Sequence, residues 1–113
     1  MAEKRWFNRY KIKASGALAG KSYMCKVEIL DLSASGARIL GDLYRIKTND
    51  EICLSIAFKP PIKLKGVIRW CKKTEKGIEA GIKFTQIDFK TQQHLQSFLS
   101  QIALAGMGDA YLR

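Results

Sequence analysis

The chain has 113 residues, of which 47% are hydrophobic, and this composition fits one folded domain rather than a disordered segment. Its 20 lysines and arginines outnumber its 10 aspartates and glutamates, so the net charge is +10. Such a field attracts nucleotides, nucleic acids, acidic protein surfaces and anionic membranes. The first residues lack the apolar region of a signal peptide, and no apolar run is long enough to span a membrane. We therefore expect a cytoplasmic protein without a membrane span.

Neither the cysteines nor the histidine forms a catalytic or metal-binding pattern. Cys25, Cys53 and Cys71 are far apart and lack metal-ligand spacing, so we expect free thiols that act as small buried hydrophobic residues. His94 is the only histidine in the sequence, and no nucleophile elbow accompanies it. We therefore expect neither an enzyme nor a bound metal or cofactor.

Alternating apolar and polar residues predict six short strands in the first part of the chain. They cover residues 9–14, 23–30, 37–40, 51–58, 62–72 and 78–84. Residues 15–21 contain two glycines and are expected to form the first turn. Pro60 and Pro61 are expected to end the fourth strand, because proline cannot donate to a sheet. Six strands joined by turns are typical of a closed antiparallel β-barrel.

After residue 84 the apolar period changes to that of a helix. Four apolar residues recur at helical spacing, namely Leu95, Phe98, Leu99 and Ile102. Asp88 is the expected N-cap of this helix, and Gly106 is its expected stop. The prediction is one all-β domain with one C-terminal helix over residues 1–113. It comprises a mobile N-terminal arm at 1–8, a barrel at 9–84, a helix at 88–105 and a tail at 106–113.

Two short motifs carry the candidate binding chemistry. Arg5 and Arg9 are four residues apart, and each offers a planar fork of donors that grips a phosphate or the O6/N7 edge of guanine. Asp31, Ser33 and Gly36 follow an apolar strand. The carboxylate accepts from the N1 and N2 hydrogens of guanine, the hydroxyl donates or accepts, and the glycine lets a base approach closely. Alone, each motif is most often a charge pair or an Asx-type turn, but together they suit a guanine nucleotide.

In this combination the motifs resemble the two-part signature of the PilZ domain, a family of bacterial receptors for the second messenger cyclic di-GMP. Glu3–Arg9 stands where the family has its arginine motif, and residues 31–36 stand where it has its aspartate, serine and glycine. The resemblance continues with Val67–Trp70 at the end of the fifth strand and with Ala80–Phe84 before a C-terminal helix. It covers nearly the whole chain and implies a six-stranded antiparallel β-barrel of the PilZ type.

The resemblance implies a receptor or adaptor that binds cyclic di-GMP without a cofactor. Its ligand-binding residues would be Arg5, Arg9, Asp31, Ser33 and Gly36, with weaker contributions from Lys4 and Trp70. In the family, the residue at the position of Lys4 influences whether one cyclic di-GMP or a stacked pair is bound. The arm, which carries Arg5, is expected to become ordered over the ligand and to pass the signal to a downstream effector protein.

Two other functions are weighed against this one. A small basic β-barrel that binds single-stranded RNA or DNA would explain the net charge and the interleaved aromatic residues, which are Trp6, Phe7, Tyr10 and Tyr23. No RNA-binding fingerprint accompanies them, so nucleic acid is the less favoured partner. The other is a PilZ-like adaptor that binds only protein, and the intact motifs argue against it.

Trp70 and its neighbours on the fifth strand each have two interpretations. Alternation with Leu64 and Ile68 favours a place for Trp70 in the core, whereas some family members pack an aromatic residue from this region beside a guanine. The basic residues of this strand and its end form a stripe that is most simply a solvated face and alternatively a partner surface. They are Lys63, Lys65, Arg69, Lys72 and Lys73.

Overall fold

The computed structural model describes residues 10–58 and 61–112 of the chain. Within these residues, six β-strands are followed by one α-helix. In chain order they are β1 (Tyr10–Ala19), β2 (Met24–Leu32), β3 (Gly36–Gly41), β4 (Glu51–Ile56), β5 (Ile62–Thr74), β6 (Gly77–Gln86) and α1 (Phe89–Leu112). This order confirms the predicted fold class. The predicted arm at residues 1–8 lies outside the described residues.

The six strands form a closed barrel in the order β1-β2-β3-β6-β5-β4. Closure results from β1, which pairs antiparallel with β2 along one side and with β4 along the other. The remaining neighbours are antiparallel as well, in keeping with the predicted architecture. A closed barrel leaves no unpaired sheet edge, which removes a common route to aggregation.

The barrel interior is filled by the residues that alternate inward along the strands. On β4, the three side chains Ile52, Leu54 and Ile56 are buried, while the residues between them lie closer to solvent. Leu64 and Ile68 of β5 are buried in the same way. Burying one such aliphatic side chain contributes roughly 1.5–3 kcal/mol, so the alternation read from the sequence marks the main source of stability.

The first turn is shorter than the sequence predicted. Residues 15–19 belong to β1, so the predicted turn over residues 15–21 is wrong in its first part. A Cβ atom at Gly16 would overlap the backbone carbonyl oxygen of Ser55, so this glycine permits close approach of β1 and β4 rather than a turn. The chain reverses after Gly20, whose amide donates to the carbonyl oxygen of Tyr23 at 2.9 Å.

Trp70 does not lie in the core, and the preference for that interpretation was wrong. Its side chain is 40% exposed, whereas Ile68, two residues earlier, is fully buried. The register of β5 against β6 shifts between them, because Ile68 opposes Ile82 and Trp70 opposes Gly81. Two residues of β5 therefore span one residue of β6, as in a β-bulge. The bulge reverses the alternation and turns Trp70 outward.

The helix begins at the predicted cap. The backbone amide of Thr91 donates to Asp88 Oδ1 at 2.7 Å, and the amide of Gln92 donates to the Asp88 carbonyl oxygen at 2.9 Å. Leu95 is buried against the barrel, and the ring of Phe98 stacks on Phe58 with centroids 3.5 Å apart. Three residues of the predicted stripe, Leu95, Phe98 and Leu99, therefore dock the helix, and the side chain of the fourth, Ile102, is outside those that the structure describes.

The helix continues to Leu112, past the predicted stop at Gly106, so the predicted tail is helical up to that residue. Glycine lowers helix propensity by about 1 kcal/mol, but it ends a helix only where the backbone turns left-handed. Among the glycines that the structure describes, the one with a positive φ angle is Gly77, which lies at the start of β6 and not in the helix. No helix in the described part of the chain is long and apolar enough to cross a membrane.

The cysteines are free, as predicted, but they are not all buried. Cys25 and Cys53 are partly exposed, and Cys71 is exposed on β5 beyond the bulge. Across residues 10–58 and 61–112, no three potential metal ligands come together.

Candidate ligand site on the β2–β3 turn

The turn between β2 and β3 is held by one serine hydroxyl. Ser33 is only 2% exposed, and its Oγ accepts hydrogen bonds from the amides of Ser35 and Gly36, each at 3.2 Å. The Ser33 amide donates to the carbonyl oxygen of Gly36 at 2.9 Å. A serine that bonds backbone amides two and three residues ahead is a typical turn former. The hydroxyl is therefore engaged in shaping the turn.

Gly36 is needed at this position because β6 passes directly beside it. A Cβ atom at Gly36 would overlap the backbone carbonyl oxygen of Ile82. The amide of Phe84 also donates to the carbonyl oxygen of Ser35 at 2.9 Å, which ties the turn to β6. The sequence analysis predicted that this glycine lets the backbone turn and a base approach. The structure adds a further reason for glycine, which is the backbone of the neighbouring strand β6.

Asp31 lies at the end of β2 and is paired with an arginine that the sequence analysis did not single out. The carboxylate oxygen Oδ2 of Asp31 accepts from Arg38 Nε at 2.8 Å. Arg38 Nη1 donates to Glu79 Oε2 at 2.6 Å, so one guanidinium joins carboxylates from two other strands. Both carboxylates are largely buried, and Arg38 is about one-third exposed. The hydrogen bond to Asp31, and to a smaller extent the one to Glu79, raises the pKa of Arg38 above its ordinary value.

The register of the strands places Asp31 and Trp70 on one row, that is, a series of directly opposed residues that runs across neighbouring strands. Lys11 opposes Asp31, Asp31 opposes Arg38, Arg38 opposes Gly81, and Gly81 opposes Trp70. Directly opposed residues of an antiparallel pair share a face of the sheet. The row therefore crosses all strands of the barrel except β4 and brings Asp31, Arg38 and Trp70 to the same outer face.

The indole of Trp70 lies directly on Gly81. A Cβ atom at this glycine would overlap the indole ring, so the missing side chain leaves room for the ring. Gly81 also separates Trp70 from Arg38 along the row. Sequence reasoning missed Arg38, although one signal was present. It stands two residues after Gly36, between the buried residues Ala37 and Ile39, and so must point outward.

The structure describes four of the predicted site residues: Asp31, Ser33 and Gly36 lie at the β2–β3 turn, and Trp70 lies on the same outer face three strands away, on β5. The other three, Lys4, Arg5 and Arg9, lie outside the described residues. The register of β1 bears on them indirectly, since Tyr10, the residue after Arg9 in sequence, opposes Leu32. The strand that continues from the arginine motif thus begins opposite the β2–β3 turn.

The basic stripe on β5 is exposed over most of its length. Lys63 and Lys65 alternate with the buried Leu64, and the three basic residues beyond residue 68 are exposed as well. An extended strand rises about 3.3 Å per residue, so the two groups stand well apart along β5. The stripe therefore behaves as a solvated strand face in this barrel.

The family model of the PilZ domain matches residues 3–101 of this chain. Among solved structures, the chain is similar to the PilZ domain of Escherichia coli YcgR with c-di-GMP, with 8% identity and a TM-score of 0.78 over 96% of this chain and 98% of that one. It is similar to the Bacillus subtilis inhibitor of motility MotI/DgrA, with 14% identity and a TM-score of 0.78 over 92% of this chain. No curated protein matches the sequence.

A third similar structure is Borreliella burgdorferi PlzA in complex with c-di-GMP, with 18% identity and a TM-score of 0.64 over 82% of this chain. The chain spans 53% of the MotI/DgrA chain and 40% of the PlzA chain, so it corresponds to part of those proteins. At such identities the similarity concerns the fold, which in each case is the barrel described above.

Proposed function

Since the chain belongs to the PilZ domain family, we propose that it is a receptor that binds cyclic di-GMP. The observation that carries the proposal is the row of opposed residues that places the Asp31 carboxylate and the exposed indole of Trp70 on one outer face. Similar barrels from E. coli and B. burgdorferi are known with c-di-GMP. A hydrogen-bond acceptor and an aromatic surface on one face suit a ligand that carries two purine rings.

Each group at this face has a distinct task in the proposal. Asp31 accepts from the N1 and N2 hydrogens of one guanine, and Trp70 offers its exposed face for stacking. Arg5 and Arg9 grip phosphates or the O6/N7 edge of guanine, with Lys4 as a further cation. Ser33 and Gly36 act by holding the β2–β3 turn that presents Asp31.

The proposed signal is the ordering of residues 1–8 over the bound ligand. These residues carry two cationic side chains, Lys4 and Arg5, and one carboxylate, Glu3, and their net positive charge disfavours closure onto a basic barrel until an anionic ligand lies between them. Ordering costs about 1–2 kcal/mol of backbone entropy per residue, so closure depends on ligand contacts. The newly formed surface would then be recognised by a downstream effector protein.

Amide relaxation measured by NMR on the free and ligand-bound protein tests this signal. Ordering predicts that the amides of residues 1–8 are mobile on the nanosecond timescale when free and become as rigid as the barrel when bound. An arm that is equally rigid, or equally mobile, in both states would remove the arm from the mechanism and leave ligand binding intact.

Calorimetric titration with cyclic di-GMP, with cyclic di-AMP and GTP as comparison ligands, tests the binding itself. The parent protein should show saturable binding of cyclic di-GMP and much weaker binding of the other two. Arg5→Ala and Arg9→Ala should each weaken binding roughly tenfold to a hundredfold, as expected for a lost hydrogen bond between charged groups. Asp31→Ala should reduce the preference for guanine over adenine most strongly.

The matched control is Arg45→Ala. It removes the same charge from the exposed loop that follows β3, at the end of that strand away from Gly36. This variant should bind as the parent does. Equal binding of both cyclic dinucleotides would contradict the guanine assignment. Preferred, length-dependent binding of single-stranded oligonucleotides would instead support the alternative of a basic nucleic-acid-binding barrel.

A further inference from the structure

We propose that Arg38, anchored by Glu79, is a positioning residue that orients the Asp31 carboxylate for guanine recognition; this inference rests on the proposed function. The Arg38 guanidinium is held at two points, by Asp31 Oδ2 at 2.8 Å from Nε and by Glu79 Oε2 at 2.6 Å from Nη1. The three residues come from β2, β3 and β6, so the cluster ties together the strands that flank the turn.

Guanine recognition depends on the direction of the carboxylate. The N1 and N2 hydrogens of guanine are two parallel donors, and a carboxylate meets both only when its plane and both oxygens face them. The planar Arg38 guanidinium donates from Nε to one carboxylate oxygen, Oδ2, and this bond restricts the rotation of the Asp31 side chain. Each carboxylate oxygen accepts more than one hydrogen bond, so Oδ2 can hold Arg38 and still accept from a base.

Glu79 determines where the guanidinium lies. Arg38 opposes Gly81, and Glu79 stands two residues before that glycine on the same face of β6. Arg38 reaches Glu79 along this diagonal, past Gly81 and the indole that lies on it. An arginine that is held at one point only keeps much of its rotamer freedom, so the second anchor makes a single orientation of the first bond far more populated.

Two substitutions distinguish the orientation of the Asp31 carboxylate from the charge around it. Arg38→Lys keeps the positive charge but replaces the planar fork with a point charge that cannot hold both carboxylates in one geometry. Glu79→Gln keeps the size and shape of the anchor but removes its charge, and it changes no group that the proposal places against the ligand. Loss of orientation should affect guanine more than adenine, because adenine presents no paired N1 and N2 donors.

The experiment titrates cyclic di-GMP and cyclic di-AMP into the parent protein, Glu79→Gln, Arg38→Lys and the double variant. Each single variant should weaken cyclic di-GMP binding roughly tenfold, with a much smaller effect on cyclic di-AMP. The double variant should be no weaker than Arg38→Lys alone, because Glu79 acts through Arg38. The control is Glu75→Gln, which alters an exposed carboxylate between β5 and β6 and should leave both affinities unchanged.

NMR of the Arg38 Nε–H group keeps the inference testable if Arg38→Lys does not fold. In ligand-free parent protein this resonance should be protected from solvent exchange, and Glu79→Gln should reduce its protection at unchanged thermal stability. Folded variants with unchanged selectivity, or with equal losses for both dinucleotides, would overturn the positioning role alone. A parent protein that binds no cyclic di-GMP would overturn the proposed function and this inference with it.

Discussion

The backbone amide of Gly36 donates a hydrogen bond to Ser33 Oγ at 3.2 Å, and the amide of Ser33 donates to the carbonyl oxygen of Gly36 at 2.9 Å. The two residues therefore close the β2–β3 turn between themselves. Ser33 is buried and Gly36 lies against the backbone of β6. The turn is preorganised by these contacts, so Asp31 is presented in a defined place before any ligand arrives.

Ser33→Ala should destabilise the protein by about 1–3 kcal/mol. The substitution leaves the amide of Gly36 buried without the acceptor that it has in the parent protein, and that is the typical cost of such a loss. Urea unfolding followed by circular dichroism measures the change. Ser22→Ala, at an exposed position in the β1–β2 turn, is the matched control and should change stability little. Equal stability of both variants would show that the hydroxyl does not hold the turn.

The strands and the core were predictable because each depends on local alternation. Burial of Ile52, Leu54 and Ile56 follows directly from the period of two along β4. The helix cap at Asp88 was predictable for a similar reason, since the capping bond to Thr91 spans three residues. Patterns of this kind need no knowledge of the neighbouring strands.

The site was predictable only in part, because its geometry depends on pairing between distant strands. The bulge after Ile68 turns Trp70 outward, and nothing in the local alternation of β5 indicates an extra residue. Arg38 meets Glu79 across a separation of 41 residues. Gly16 was interpreted as a turn because its contact with Ser55 of β4 could not be known from the sequence of β1.

Gly81→Ala should displace Trp70 and weaken ligand binding. The new Cβ atom would overlap the indole, and the ring, which is already 40% exposed, would move away from the row that contains Asp31. Fluorescence of the variant in a Trp6→Phe background, where Trp70 is the remaining tryptophan, should report a changed environment. Calorimetry should show several-fold weaker binding of cyclic di-GMP.

Lys83→Ala is the control for the effect of Gly81→Ala, since it changes an exposed side chain on the same strand. It should leave the emission of Trp70 unchanged. If Gly81→Ala alters the fluorescence but not the affinity, Trp70 does not stack on the ligand. If it alters neither, the indole does not lie on Gly81.

Leu95→Ala should destabilise the protein by about 2–5 kcal/mol, the usual cost of removing a buried leucine side chain. Leu95 is fully buried between α1 and the barrel, on the helix that also carries Phe98, whose ring stacks on that of Phe58. Urea unfolding of the whole protein is the measurement. Gln96→Ala, one residue further along and exposed, should be within about 0.5 kcal/mol of the parent protein. A small effect of Leu95→Ala would mean that the helix contributes little to the stability of the barrel.

The charge of Asp88 should stabilise the helix N-terminus only above acidic pH. The hydrogen bond from the Thr91 amide lowers the pKa of the Asp88 carboxyl below its ordinary value of 3.8. Stability from a lowered pKa is fully present above the unfolded-state pKa and is lost as the pH falls through the folded-state pKa. The negative charge also lies at the positive end of the helix dipole, which acts in the same direction.

Asp88→Asn separates this charge from the capping bond, because asparagine still offers an oxygen to the Thr91 amide. The melting temperature of the parent protein should exceed that of Asp88→Asn near pH 7, and the difference should shrink toward pH 2 as the parent carboxyl becomes protonated in the folded state. Asp88→Ala, which loses the cap itself, should melt lower than the parent protein at both pH values. A difference between the parent protein and Asp88→Asn that is the same at both pH values would show that the carboxylate charge does not stabilise the helix.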